Sequence, residues 1–136
     1  MYASTRGRRG RRRRDRREFD LLRTSVNIRG VDLDEPDLQS VPLATVMSAL
    51  GDDVRLRIVQ ALDAQGETQC GTLDLGVSKA TRSHHFKVLR EAGVTHTRVD
   101  GTRRFVALRR DELADRFPGL LDALLAAQLA ETAQPV

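Results

Sequence analysis

The sequence predicts an α+β chain that is mainly α, and three observations carry that prediction. Apolar residues recur at helical spacing between Leu43 and Leu62, a serine-led segment runs from Ser78 to Gly93, and two β-branched runs then flank an Asp-Gly dipeptide ahead of a leucine-rich stretch.

Leu43, Met47 and Leu50 fall at i, i+4 and i+7, with Ala44 and Val46 beside them, which makes one face of a short helix that Gly51 stops. Asp52 is placed to cap the next helix. Its stripe is Val54, Ile58 and Leu62, widened by Leu56, Val59 and Ala61, while Asp53 and Arg57 pair at i, i+4; it should end near Asp63, before Gly66. The segment from Cys70 to Leu75 has room for only a turn or two of helix before Gly76. Ser78 can cap a helix from Lys79 to about Ala92, with Gly93 as its left-handed end and Phe86 and Leu89 facing inward. VTHTRV and TRRFVAL around Asp100-Gly101 read as a hairpin with a type I′ turn. Asp111 is expected to cap a further turn, Pro118 to open the last helix, and LLDALLAAQLA from Leu120 to complete it.

The chain has 136 residues, enough for one domain of roughly 100 residues and a tail. The expected division is a basic then acidic, unstructured segment over 1–40 and a folded domain over 41–136. With four Phe, one Tyr and no Trp, the core falls to Leu, Val, Ile and Ala, and so small a core favours burial against a partner. The single cysteine, Cys70, excludes a disulfide within the chain, and no apolar run approaches the roughly 20 residues of a membrane span. The Arg run at the start is followed by no apolar stretch of a secretory leader, so a cytoplasmic protein without membrane partners is expected.

Charge is divided unevenly. Residues 1–17 hold nine Arg and one acid, Asp15, whereas the whole chain is only +4, so the remainder is acidic on balance. High overall basicity therefore says nothing about what the globular part binds. The Arg run has two readings: an arm making sequence-independent phosphate contacts, or translated upstream sequence with Val31 as the true start. Residues 31–40 read as a polar acidic leader in which Pro36 discourages helix.

Helix, helix, short segment, glycine-ended helix, hairpin, helix is the order of a winged helix-turn-helix domain whose two-stranded hairpin is the wing. An RNA-binding α+β module of similar size is the alternative. Two strings are informative: SALGDDVRLRIVQAL from Ser48, and SKATRSHHFKVLREAGV from Ser78, which is the more specific. With them the chain, from about Val41 to Leu129, resembles the ArsR/SmtB-type family of winged helix-turn-helix transcriptional regulators.

That resemblance implies a homodimer built on the first and last helices, through Leu43, Met47, Leu50, Leu121, Leu124 and Leu125. It implies a recognition helix in the major groove of double-stranded DNA, with Lys79, Thr81, Ser83 and His84 toward the bases and Ser78 and Lys87 nearer phosphate. In the wing, Arg98, Thr102, Arg103 and Arg104 flank the turn. The function implied is sequence-specific regulation of transcription, as a repressor on an inverted-repeat operator. A winged helix used for protein contact and a basic RNA-binding protein are the alternatives.

The match has departures. Arg82 stands where the family usually has an apolar residue, so it must emerge to solvent, reach phosphate, or meet an acid such as Asp74. The Cys70–Val77 stretch is short and lacks paired cysteines, and no histidine lies between Arg109 and Glu131. Asp111, Glu112, Asp115 and Asp122 read as a solvated acidic face. A subgroup without metal ligands or cofactor is expected, and its effector would be an unidentified small molecule or none. No phosphate loop or nucleophile elbow is present, and His84, His85 and His96 fall on elements already assigned, so no enzyme activity is expected.

Overall fold

The computed structural model describes residues 31–133, and expectations for the Arg-rich segment over 1–30 and for residues 134–136 lie outside it. The chain divides after Val31, and the fold is that of the second unit. Its helices are α1 (Leu43–Leu50), α2 (Asp53–Gln65), α3 (Lys79–Glu91), α4 (Arg110–Arg116) and α5 (Leu120–Ala133). Strand β1 (Val31–Asp32) lies at the division itself, and the strands of the second unit are β2 (Thr68–Gln69), β3 (Thr95–Asp100) and β4 (Arg103–Leu108), in the order β3-β4-β2.

The capping signals act where the residue types place them. The Asp52 side chain accepts from Arg55 N–H at 3.1 Å and starts α2, which runs two residues past its expected end to Gln65 and stops at Gly66, φ +77°. Ser78 Oγ accepts from Thr81 N–H at 3.2 Å and starts α3. At the other end Gly93, φ +79°, donates to Arg90 O and Val94 donates to Leu89 O, the paired bonds of a Schellman motif. Val94 and Leu89 are both fully buried, supplying the apolar contact that accompanies it.

Three local expectations are corrected. In the hairpin Asp100 pairs with Arg103, so the loop is Gly101-Thr102; Gly101 has φ +62° and Thr102 does not. That is the II′ pattern, not I′, because a β-branched threonine resists the left-handed region that I′ demands at both positions. Arg109, not Asp111, precedes α4, and its N–H is taken by Val94 O at 3.0 Å. Asp111 and Glu112 lie in the first turn, where carboxylates suit the helix dipole. Pro118 does not open the last helix: Gly119, φ +80°, redirects the chain after it, and α5 begins at Leu120.

The acidic leader expected over 31–40 is docked rather than loose. Leu33 N–H donates to Thr97 O at 3.1 Å, and Leu38 is 2% exposed within the core. Arg109 donates to Pro36 O at 2.9 Å, and Arg116 reaches Leu38 O at 3.2 Å and Val41 O at 3.3 Å. Glu35 pairs with His96 and with Arg109, and accepts from Thr97 N–H at 3.2 Å. The structural boundary therefore lies nearer residue 33 than residue 41. Two arginines donating to backbone carbonyls some 75 residues away in sequence hold this strap, a relationship no local pattern encodes.

Val46, Ile58, Val59, Leu89, Val94 and Val106 form the fully buried centre, joining α1, α2, α3 and the sheet. Burial of each such side chain contributes about 1.5–3 kcal/mol. Among the described residues no helix is long and apolar enough to cross a membrane.

Candidate nucleic-acid interface

The faces of α3 separate by residue type. His85, Phe86 and Leu89 are buried, while Lys79, Ser83, His84 and Lys87 are exposed. His85 packs inward. Arg55 Nη1 lies 3.1 Å from its Nδ1, and since a guanidinium only donates, Nδ1 is the acceptor. Arg55 Nε also donates to Ala49 O, so one side chain ties α1 and α2 to the middle of α3. The Arg55 N–H holds the Asp52 carboxyl below its usual range; partial burial opposes this, and the Arg55 charge adds to it. These contacts fix the tilt of the helix that presents Ser83 and His84.

Ser78 and Thr81 are engaged with each other, their hydroxyls 2.9 Å apart at the cap. In the wing, Thr102, Arg103 and Arg104 are exposed, but Arg98 is committed elsewhere: it pairs with Glu67 at 2.7 Å and lies over the Phe105 ring at 4.5 Å. Lys87 lies 3.9 Å from Glu91.

Between α3 and the hairpin runs an open groove of about 740 Å³. It brings together Lys79, Ser83, His84, Lys87, Thr102, Arg103 and Arg104, and leaves Ser78, Thr81 and Arg98 off its walls. Arg82 and Arg90 also line it, and among the described residues no carboxylate does. This settles the position of Arg82: it is half-buried in the groove wall, and Asp74 instead accepts from Gly76 N–H. Arg90 was not singled out by sequence reasoning. Its position eleven residues into the helix, level with the hairpin, is visible only once the wing is placed.

Ion pairing sorts the cations. Arg55, Arg57, Arg98, Arg109, Arg110 and Arg116 each have a hydrogen-bond or ion-pair partner. Among the described residues Arg82, Arg90, Arg103, Arg104 and Lys79 have none, and all five line the groove. A wall of unpaired cations without an intervening acid is a surface for a polyanion.

Cys70 stands on the same wall. Sequence offers no base within seven positions of it, yet the fold brings Arg104 and Arg82 near enough to act on the thiol. Burial outweighs both and pushes its pKa up, so it stays protonated. Among the described residues no group of three or more His, Cys, Asp or Glu could hold a metal ion.

The six dimerisation candidates divide. Leu50, Leu121 and Leu125 are already buried in the protomer and Leu124 is half-buried. Leu43 is 49% exposed and Met47 46%, and Leu129 on α5, not among the candidates, is 54% exposed.

Residues 50–98 match the profile of a helix-turn-helix domain. The chain is similar to YceK of Bacillus subtilis, an uncharacterised HTH-type transcriptional regulator, with 42% identity over 84 residues, 60% of this chain and 84% of the relative. It is similar also to MJ1325 of Methanocaldococcus jannaschii, another uncharacterised HTH-type transcriptional regulator, with 32% identity over 53% of this chain and 83% of the relative. Among solved structures, M. tuberculosis Rv0081 shares the fold at TM-score 0.50 and 24% identity, over 67% of this chain and 92% of its own. By the identity and coverage of these relatives, the chain belongs to the DNA-binding HTH-type transcriptional regulators.

Proposed function

We propose that the protein is a homodimeric repressor that binds an inverted-repeat operator, its half-sites about one helical turn, roughly 34 Å, apart. One observation carries this reading: the unpaired cations of the described residues line one groove, beside the exposed Ser83 and His84 of α3. Ser83 and His84 donate to base edges, and Lys79 reaches guanine acceptors. Arg82, Lys87, Arg103 and Arg104 neutralise phosphates and fix the register, while Ser78 and Thr81 act by capping the helix. Arg98 shapes the wing from its pair with Glu67 rather than touching DNA.

The second copy covers Leu43, Met47 and Leu129, large apolar side chains left exposed on the first and last helices. Residues 1–30 serve as a basic arm that adds phosphate contacts without sequence preference. The protein works in the cytoplasm and has no catalytic step. The test is selection of bound fragments from a random duplex pool at physiological salt. Recovery of one inverted motif is expected; absence of any sequence preference would move the fold's use to protein contact or RNA.

A further inference from the structure

The inner end of the groove differs from its mouth. Lys79, Ser83, His84, Arg103 and Arg104 are exposed, whereas Arg82 and Arg90 are half-buried and Thr97, on β3, is 2% exposed. All of them line the groove. Two polar atoms at the inner end lack any hydrogen-bond partner: Nε of Arg90 and Oγ1 of Thr97. A covered donor without an acceptor is a standing cost, larger for a charged group than for a neutral one. Among the described residues no carboxylate lines the groove, and none of its other acceptors is hydrogen-bonded to Arg90 Nε. Arg82 adds a second guanidinium by interrupting the apolar stripe of α3 four residues before Phe86. Cys70, held protonated by burial, contributes no competing negative charge.

We infer that this inner end is a seat for a small phosphate-type oxyanion, held by Arg82, Arg90 and the Thr97 hydroxyl, and that its occupation weakens duplex binding in the same groove. The regulatory half rests on the reading of the groove as the DNA surface. A phosphate fixed in a duplex meets the mouth, where Arg103 and Arg104 stand; a free anion is small enough to pass between the walls. Guanidinium groups match such an anion through paired N–H donors, and the threonine hydroxyl adds a neutral one. Once seated, the anion cancels charge that would otherwise attract the DNA backbone.

The test uses the full chain with inorganic phosphate exchanged for chloride at constant ionic strength. Calorimetric titration without DNA should show saturable phosphate uptake, about tenfold weaker in Arg90→Gln and weakened also in Thr97→Val. Thr97→Val is isosteric and suits a strand, so it still reports if Arg90→Gln unfolds. Anisotropy of a labelled duplex should show phosphate lowering the affinity of the wild type but not of Arg90→Gln. No saturable uptake, uptake unchanged in both variants, or uptake without effect on duplex affinity would each overturn the inference. If the wild type takes up no free phosphate while Arg90→Gln loses duplex affinity, the seat belongs to a backbone phosphate and the free-anion inference is overturned. If the wild type binds no duplex, the DNA reading fails and the regulatory half with it, while the titration alone decides the seat.

Discussion

Gly93 ends the recognition helix directly against Leu38: a Cβ on Gly93 would lie 2.7 Å from Leu38 Cδ2 and 3.1 Å from its Cγ. The glycine thus meets two demands, a left-handed φ of +79° and room for the strap that precedes α1. Gly93→Ala is expected to destabilise the fold by more than about 1 kcal/mol, a fall in Tm of roughly 4–8 °C per kcal/mol. Leu38→Ala should itself cost about 2–5 kcal/mol, and the double variant should recover the steric share of the Gly93 effect, leaving the φ strain. Urea unfolding of the four proteins checks this, and strict additivity would count against the contact.

Gly93 and Ser78 were legible in the sequence because caps and left-handed glycines are local: both signals lie within four residues of the groups they satisfy. The same holds for Asp52 and for the hairpin registered by Asp100 and Arg103. The strap was not legible, since Arg109 and Arg116 reach Pro36, Leu38 and Val41 across the whole domain. Strand β2 was missed because two residues, paired with Phe105 and Val106, are too few to show a period of two. Of the helix residues singled out by their string, Lys79, Ser83, His84 and Lys87 line the groove and Ser78 and Thr81 do not, and the Glu67 pair of Arg98, made from another element, has no local signal. Arg82 breaks the apolar stripe of α3, and its place on the groove wall depends on the hairpin, which the helical spacing does not encode.

Asp52 both caps α2 and faces His85, 3.8 Å from Nδ1. Asp52→Ala should cost about 1 kcal/mol near neutral pH through loss of the cap. Because the folded carboxyl has a lowered pKa, its contribution is present above the unfolded carboxylate pKa and disappears as pH falls through the folded value. Denaturant midpoints of wild type and variant should therefore converge in acid, and a constant gap down to that range would remove the charged cap from the explanation.

Ser83→Ala or His84→Ala should weaken binding to the selected operator by about 1–3 kcal/mol and to random duplex by much less, because base contacts specify while phosphate contacts only position. Parallel anisotropy titrations on the two duplexes measure the difference. Equal losses on both would assign these side chains to the backbone.

Met47 and Leu129 are exposed on the two helices proposed to meet the second copy. Met47→Glu with Leu129→Glu should shift sedimentation equilibrium from dimer to monomer while leaving the secondary structure intact, since neither side chain is in the core. A dimer of unchanged affinity would place the two-fold axis elsewhere.

The salt dependence of duplex binding tests the central claim most directly, through the contrast between Arg103 and Arg104, which are unpaired on the groove, and Arg98, which is paired to Glu67. The slope of log affinity against log salt should fall in magnitude by about 0.9 for each phosphate contact removed, hence by roughly 1.8 in Arg103→Gln with Arg104→Gln, and should change little in Arg98→Gln. A double variant that keeps the wild-type slope, or an Arg98→Gln variant that loses as much, would contradict the assignment of this groove to DNA.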